Sequence, residues 1–217
     1  MKNTIISTVV MLFALASCNL ADKSNRSQKD SQTELTNFSE VLKSIDDQIY
    51  KSFIAECKAD NLGNVIREEN DSTIIFSCDS LMMHSVTQIH KRGYFDSDIN
   101  NDGLNDLMIC VDDVATAYAY SINYYLYLNE NGIYKFVDIY NFSSNDSLSK
   151  HNNHDNFYAD IKNCIVDSIS GNMVYTRASY FGPEDPNCCP TYYSVDKYKF
   201  DNKKKKFELF SQSEVLQ

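Results

Sequence analysis

The feature that most constrains the fold is a series of short apolar runs, each bounded by turn residues, that extends from residue 73 to residue 210. The runs occupy residues 73–78, 85–90, 107–111, 117–128, 133–140, 161–168, 173–180, 191–200 and 206–210. Runs of this length between clusters of Asn, Asp, Gly and Ser are typical of β-strands. The turn residues at 129–132, 170–172 and 201–202 predict hairpins between neighbouring runs. The sequence therefore predicts a largely antiparallel β fold.

A single amphipathic helix precedes these strands. From residue 37 to about residue 58, apolar side chains recur at steps of three and four residues, which places them on one helical face: Leu42, Ile45, Ile49, Phe53 and Cys57. Asn37, with Glu40 three residues later, is a capping pair for the start of this helix. We therefore predict a mainly β, or α+β, single domain. In it, an N-terminal helix packs on an antiparallel sheet or sandwich of about eight or nine strands.

The beginning of the chain has the features of an export signal. Residues 1–17 carry one charge and an apolar stretch that is short for a membrane-spanning helix, as in a signal peptide. The sequence Leu15-Ala16-Ser17-Cys18 resembles the lipobox of bacterial lipoproteins. The resemblance implies cleavage before Cys18, a diacylglyceryl group on its sulfur, and anchoring of the protein in a membrane of the cell envelope.

A linker separates this anchor from the folded domain. Residues 18–36 start with the lipidated cysteine and continue with small, polar and charged residues, which predicts a flexible tether. Asn19 stands where some bacteria place an Asp to retain lipoproteins in the inner membrane, so the outer membrane is favoured. Residues 37–217 then form the single β-rich domain.

The charge of the chain bears on its partners. Twenty basic residues against 30 acidic ones give a formal net charge of −10. Phosphate backbones repel such a chain, so no nucleic-acid partner is predicted. With 43% hydrophobic residues, six Gly and three Pro, the composition is that of a globular protein and not of a disordered or low-complexity one.

The cysteines indicate an oxidising compartment. Seven are present, and after lipidation of one of them six remain for disulfides: Cys57, Cys78, Cys110, Cys164, Cys188 and Cys189. The sequence leaves their pairing open. Cys110 lies inside an apolar run, where a buried free thiol is the alternative. No CxxC motif and no Cys/His spacing predicts a zinc site.

One loop, within residues 96–107, carries recognisable metal chemistry. Counting Asp98 as position 1, Gly103 is at position 6, and oxygen ligands fall at positions 1, 3, 5, 7 and 9, from the side chains of Asp98, Asn100, Asp102 and Asp106 and the carbonyl of Leu104. Ca²⁺ requires six to eight oxygen ligands in a tight loop, and glycine permits the sharp reversal within it. We therefore predict Ca²⁺, in a structural role. Ile109 at position 12 and the following strand exclude an EF-hand.

The same residues carry a family resemblance. The sequence from Asp98 to Leu107, which continues into an apolar strand, resembles the calcium loop of FG-GAP/VCBS-type repeats, with the pattern DxNxDGxxDL. The resemblance implies Ca²⁺ bound by the loop residues from Asp98 to Asp106. Those families use several copies to build a propeller, whereas this chain has one copy, so neither the propeller nor an adhesive function follows. The order of its motifs also resembles exported single-domain bacterial proteins of uncharacterised function.

Tyrosines occupy both faces of the run 117–128. Tyr118, Tyr120 and Tyr124 alternate on one face, and Tyr125 and Tyr127 lie on the other. We expect that tyrosines on two faces are not all in the core. They would then form a partly exposed aromatic platform for a glycan or protein, or place their hydroxyls at the rim of the sheet.

Three functions fit these features, and the third is an inhibitor or immunity-like partner of another envelope protein. The leading hypothesis is a non-enzymatic, lipid-anchored envelope protein with a structural Ca²⁺, which acts as a binding or structural module for an envelope protein or glycan. The alternative is an envelope hydrolase that acts on glycan or peptide, with candidate residues His84, His90, Asp112 and Asp113. The two aspartates are adjacent on a strand and point to opposite faces, which disfavours a carboxylate pair. No GxSxG, P-loop or GxGxxG motif is present.

Overall fold

The computed structural model describes residues 35–59, 63–78, 86–116, 119–142, 158–181, 184–185 and 191–213. This part of the chain forms one helix, α1 (Phe38–Ala59), and two antiparallel sheets. The first sheet has six strands in sequential order: β1 (Val65–Glu69), β2 (Thr73–Cys78), β3 (Val86–Ser97), β4 (Asp106–Thr116), β5 (Ala119–Glu130) and β6 (Ile133–Tyr140). The second has four, in the order β10 (Lys206–Gln212), β9 (Tyr192–Asp201), β8 (Met173–Phe181) and β7 (Tyr158–Ser170). The predicted fold class is confirmed.

Helix α1 begins and packs as its sequence predicts. The backbone N–H of Glu40 donates to Oδ1 of Asn37 at 3.1 Å, and the N–H of Thr36 donates to Oε2 of Glu40 at 2.5 Å, which satisfies amides that have no partner within the helix. The buried face of the helix covers one side of the six-stranded sheet, with Val41, Ile45, Ile49, Phe53 and Cys57 in the core. Leu42 lies at the margin of this face and is half-buried.

The six-stranded sheet is buried on both faces. Its helix side includes Ile74, Phe76, Ile89, Leu107, Ile109, Val111, Tyr125 and Tyr127. Its other side packs on the four-stranded sheet through a second core that includes Met108, Ile122, Tyr124, Leu126, Leu128, Val174, Tyr198 and Phe200. Hydrophobic burial on both faces stabilises the sheet as the middle layer of three.

Three tyrosines of β5 bear on the expectation that tyrosines on two faces are not all in the core. Tyr124, Tyr125 and Tyr127 are 2%, 8% and 1% exposed, although they alternate between the two faces. Both faces are covered, one by α1 and the other by the second sheet, so the aromatic platform is wrong for these three residues. The side chains of Tyr118 and Tyr120 lie outside the part of the chain that the structure describes.

The structure has one strand that the sequence pattern did not predict. β1, with the sequence VIREE, pairs antiparallel with β2 and is the edge of the six-stranded sheet. Four of the five residues of β1 are exposed, so the strand lacks the alternating apolar pattern by which the other strands were predicted. The total of ten described strands therefore exceeds the predicted eight or nine.

The predicted hairpins are present. β5 and β6 are joined at Asn131 and Gly132, whose φ angles of 56° and 88° suit a two-residue turn of the type that matches strand twist. β7 and β8 turn at residues 171–172, and β9 and β10 turn at 202–205. Within the described residues, no helix has both the length and the apolar composition needed to span a membrane.

Candidate functional site

The predicted calcium loop connects β3 to β4 at one end of the sheet. Its backbone has positive φ angles at Asn101 (58°) and Gly103 (88°). No heavy atom lies within 4 Å of the position that a Cβ would take at Gly103, so the glycine is required by its left-handed backbone and not by lack of space. The chain thus makes the sharp reversal that the motif predicts.

The first three predicted side-chain ligands fold around the amides of their own loop. Asp98 accepts hydrogen bonds from the N–H groups of Asp102 (3.0 Å) and Gly103 (2.9 Å). Asn100 accepts one from the N–H of Asp102 (2.9 Å), and its Nδ2 donates to Oδ2 of Asp102 (2.9 Å). Asp102 in turn accepts from the N–H of Leu104 (2.9 Å). The atoms of this loop that could bind a metal ion are all oxygens, a ligand set that suits a hard cation such as Ca²⁺.

Asp106 has a different environment from the other loop carboxylates. It is fully buried, and its Oδ2 accepts hydrogen bonds from the N–H groups of Ile99 (2.9 Å) and Asn100 (3.2 Å). Its Oδ1 accepts one from the N–H of Asn129 (2.8 Å). Burial raises the pKa of Asp106 to about 6, although the three amide hydrogen bonds act in the opposite direction. This side chain closes the loop and attaches it to the β5–β6 hairpin.

The loop is also where turns of both sheets meet. Nδ2 of Asn202, in the β9–β10 turn, donates to the carbonyl of Asn100 at 2.6 Å. A Cβ placed on Gly171, in the β7–β8 turn, would lie 3.3 Å from Oδ1 of Asn101. The β3–β4 loop therefore contacts turns of the four-stranded sheet while Asp106 holds a turn of its own sheet.

A second polar group lies on the sheet face that packs toward the four-stranded sheet. His90 of β3 and Cys110 and Asp112 of β4 present ligand atoms that all lie within 4.8 Å of one another. Nε2 of His90 is 2.7 Å from Oδ2 of Asp112, and the Cys110 thiol donates to Oδ1 of Asp112 at 3.6 Å. Burial, and then the charge of Asp112, raise the pKa of Cys110 to about 12, so the thiol is protonated at neutral pH.

Asp113 points to the opposite face of β4, as the alternation predicts. Its oxygens accept hydrogen bonds from Oγ1 of Thr87 and Nδ2 of Asn123, both at 2.5 Å. It lies in a cavity of about 330 Å³ beside α1, whose lining includes Phe53 and Tyr125. Burial raises the pKa of Asp113, and the two donors counteract that effect. With both oxygens satisfied, Asp113 is a structural side chain of the helix-facing layer.

The structure shows one of the possible disulfides. Cys57, near the end of α1, is bonded to Cys78, at the end of β2, with 5.9 Å between their Cα atoms. Cys110 is a free thiol of intermediate exposure, which was the alternative for this residue. Cys18, Cys188, Cys189 and the hydrolase candidate His84 lie outside the described residues, and Cys164 is on β7 with its side chain outside them.

No protein-family model, no curated protein and no solved structure matches this chain. The resemblance of the loop to FG-GAP/VCBS repeats therefore remains a prediction from about ten residues, and so does the lipobox.

His90 and Asp112 are candidate site residues in the sequence, where no motif brings them together with Cys110. The β3–β4 pairing does so, across a hairpin that separates His90 from Cys110 by a long stretch of chain. Metal-binding motifs in a sequence have ligands only a few residues apart, so they cannot identify ligands as distant in the chain as His90 and Cys110. The sequence carries no signal for this group, because the group depends on which residue of β3 pairs with which residue of β4.

Proposed function

We propose that this chain is a lipid-anchored protein of the bacterial cell envelope that acts as a binding or structural module, with Ca²⁺ bound at the loop that starts at Asp98. Cys18 carries the lipid, and the outer membrane is the favoured location. An envelope protein or a glycan is the partner of the folded domain. The role of the ion is structural.

The position of the loop is the single observation that carries the structural role. Asn202 holds the loop from the four-stranded sheet, and Asp106 holds the β5–β6 hairpin. An ion bound by the predicted ligands Asp98, Asn100, Asp102, Asp106 and the Leu104 carbonyl would fix the loop to which both sheets are attached. Its positive charge would also offset the repulsion among the carboxylates of the loop. Such an ion stiffens the domain without taking part in a reaction.

A thermal melt of the exported chain, purified in mild detergent, tests this site. In excess Ca²⁺ the midpoint should be several degrees higher than in chelator, because a ligand at about 100 times its Kd adds about 2.7 kcal/mol. Asp102→Ala should abolish the shift. Asp138→Ala is the matched control, since Asp138 is exposed on β6 and also accepts a backbone amide hydrogen bond, and it should keep the shift. A wild-type protein without a shift, or an Asp102→Ala variant that keeps it, would refute the calcium proposal.

The anchor has a separate test. Cells that express the wild-type chain should hold it in the membrane fraction, and Cys18→Ser should release it or leave its signal uncleaved. Mass spectrometry of the mature protein should then find the acyl chains on Cys18. A mature wild-type protein whose Cys18 carries no acyl chain, or whose N-terminus is not Cys18, would contradict the lipoprotein assignment.

A second candidate, an envelope hydrolase acting on glycan or peptide, is favoured by the 2.7 Å contact between His90 and Asp112. A carboxylate that orients an imidazole is a common arrangement for a general base. Assays of the exported chain against glycosides, esters and peptides test it, with His90→Ala as the control. Turnover that is lost in His90→Ala would favour the hydrolase over the binding module.

A further inference from the structure

The strongest feature that a calcium-stiffened module does not use is the group formed by His90, Cys110 and Asp112. It contains an imidazole, a thiol and a carboxylate, three different metal-ligating groups on two paired strands. We infer that these three residues form a binding site for a borderline divalent metal ion, with Zn²⁺ as the ion that it fits best. This site is independent of the Asp98 loop.

The separations of the ligand atoms suit one small ion. Zn²⁺ lies about 2.0–2.3 Å from its nitrogen, oxygen and sulfur ligands, so neighbouring ligands of a tetrahedral ion are about 3.3–3.6 Å apart. The three ligand atoms lie within 4.8 Å of one another, with 2.7 Å from His90 Nε2 to Asp112 and 3.6 Å from Cys110 Sγ to Asp112. An ion between them requires the 2.7 Å separation of His90 Nε2 and Asp112 to widen, and both side chains are partly exposed. A fourth position remains for water or another donor.

The backbone is built so that these side chains meet. Ile89 pairs with Val111 and Tyr94 pairs with Ile109, so residues 90–93 of β3 lie opposite Cys110 alone. This bulge shifts the strand and directs His90 toward β4. Side chains of His90 and Asp112 are 31% and 15% exposed, so solvent and an ion have access to them.

Gly93 is, after the bulge in β3, a second backbone feature that brings the three ligands together. A Cβ at this position would lie 2.7 Å from Cβ of His90 and 3.5 Å from Cβ of Cys110. The first distance is shorter than real Cβ contacts, so any side chain here would displace the imidazole. The glycine therefore leaves the space in which His90 approaches Cys110.

The chemistry of the donors selects the ion. Imidazole and thiolate prefer Zn²⁺ and related metals, whereas Ca²⁺ and Mg²⁺ prefer oxygen. On binding, the S–H bond of Cys110 is broken, its sulfur bonds to the ion, and the proton passes to the solvent. The imidazole binds through Nε2 with its proton on Nδ1, and no oxidant or reductant is needed. Cys110 is suited to this role because it is a free thiol in a chain where Cys57 and Cys78 are oxidised.

The test measures metal bound to the exported chain in detergent, without thiol reductant. After incubation with ZnCl₂ and gel filtration, elemental analysis should find one additional Zn²⁺ per wild-type chain relative to Cys110→Ser. With CoCl₂ the wild type should show the near-ultraviolet thiolate-to-cobalt absorption, and Cys110→Ser should lack it. Asp138→Asn is the control and should retain both signals. Asp102→Ala should also retain them, which separates this site from the calcium loop.

A variant that fails to fold must not be mistaken for a lost site. Circular dichroism checks each variant, and Asp112→Asn, which keeps the shape of the side chain, should weaken Zn²⁺ binding at least tenfold. In the wild type, Zn²⁺ should slow the alkylation of Cys110 by at least tenfold, as read by mass spectrometry. Equal alkylation with and without Zn²⁺, or a cobalt thiolate band that survives in Cys110→Ser, would overturn the assignment.

Discussion

The hydroxyl of Tyr124 connects the two sheets, and its removal gives the sharpest test of how they are held together. Tyr124 lies on β5 and is 2% exposed, and its hydroxyl oxygen accepts a hydrogen bond from the N–H of Val166 on β7 at 2.9 Å. Val166 is 4% exposed and lies at a register shift in the β7–β8 pairing. Tyr124→Phe keeps the ring in the second core and leaves this buried amide without its acceptor.

The expected cost follows from that geometry. A buried donor that loses its partner costs about 1–3 kcal/mol, while the retained ring avoids a cavity. For a domain of this size, each kcal/mol lowers the melting temperature by about 2–4 °C. Urea unfolding of wild type and Tyr124→Phe measures the free-energy change directly.

The control removes a hydroxyl of the same kind from the surface. Tyr94 is 41% exposed on β3, and Tyr94→Phe should change stability by less than about 0.5 kcal/mol. Hydrogen exchange should show the Val166 amide less protected in Tyr124→Phe and unchanged in Tyr94→Phe. If the two variants are equally stable and the Val166 amide exchanges at its wild-type rate in both, this bond does not hold the sheets together.

Three further predictions address other parts of the domain. Replacing Cys57 and Cys78 by Ser should cost about 3 kcal/mol of unfolding free energy, given their separation of 21 residues, and urea titration would contradict this if it finds no loss. Gly93→Ala should destabilise the domain by about 1–3 kcal/mol and weaken Zn²⁺ binding, because the added Cβ displaces His90. A Gly93→Ala protein that binds as much Zn²⁺ as the wild type would show that the added Cβ does not displace His90. Burial raises the pKa of Tyr125 to about 12, so between pH 10 and 12 only the unfolded chain loses the proton of this hydroxyl. The free energy of unfolding should therefore fall across that range. Absorbance titration of Tyr125→Phe against wild type identifies Tyr125 as a tyrosine that ionises near pH 12.

Local signals predicted the local structure well. The three- and four-residue spacing of Ile45, Ile49 and Phe53 predicted α1, and the residues before Gly132 predicted the β5–β6 hairpin. Each of these features depends on residues close together in the chain. The loop from Asp98 also has the turn that its motif predicts, whereas its ion remains a proposal.

The parts that sequence analysis missed depend on long-range packing. Tyr124 and Tyr125 are both buried because a second sheet covers one face of β5 and α1 covers the other. The sequence of β5 alone does not indicate that a second sheet is present. The group around Cys110 depends on the register of β3 against β4 and on a bulge of several residues. A pattern of alternating residues specifies faces, but it does not specify where a strand departs from its alternation.

The charges that hid β1 from the hydrophobic pattern also affect how this edge of the sheet meets other extended chains. An exposed sheet edge presents free amides and carbonyls to any other extended chain and so invites aggregation. On β1, Arg67 donates to Asp46 of α1 at 2.7–2.9 Å, and Glu69 accepts from Lys91 of β3 at 2.6 Å. A foreign strand that docked at this edge would have to desolvate these ion pairs. The strand with the weakest β signal therefore protects the molecule from self-association.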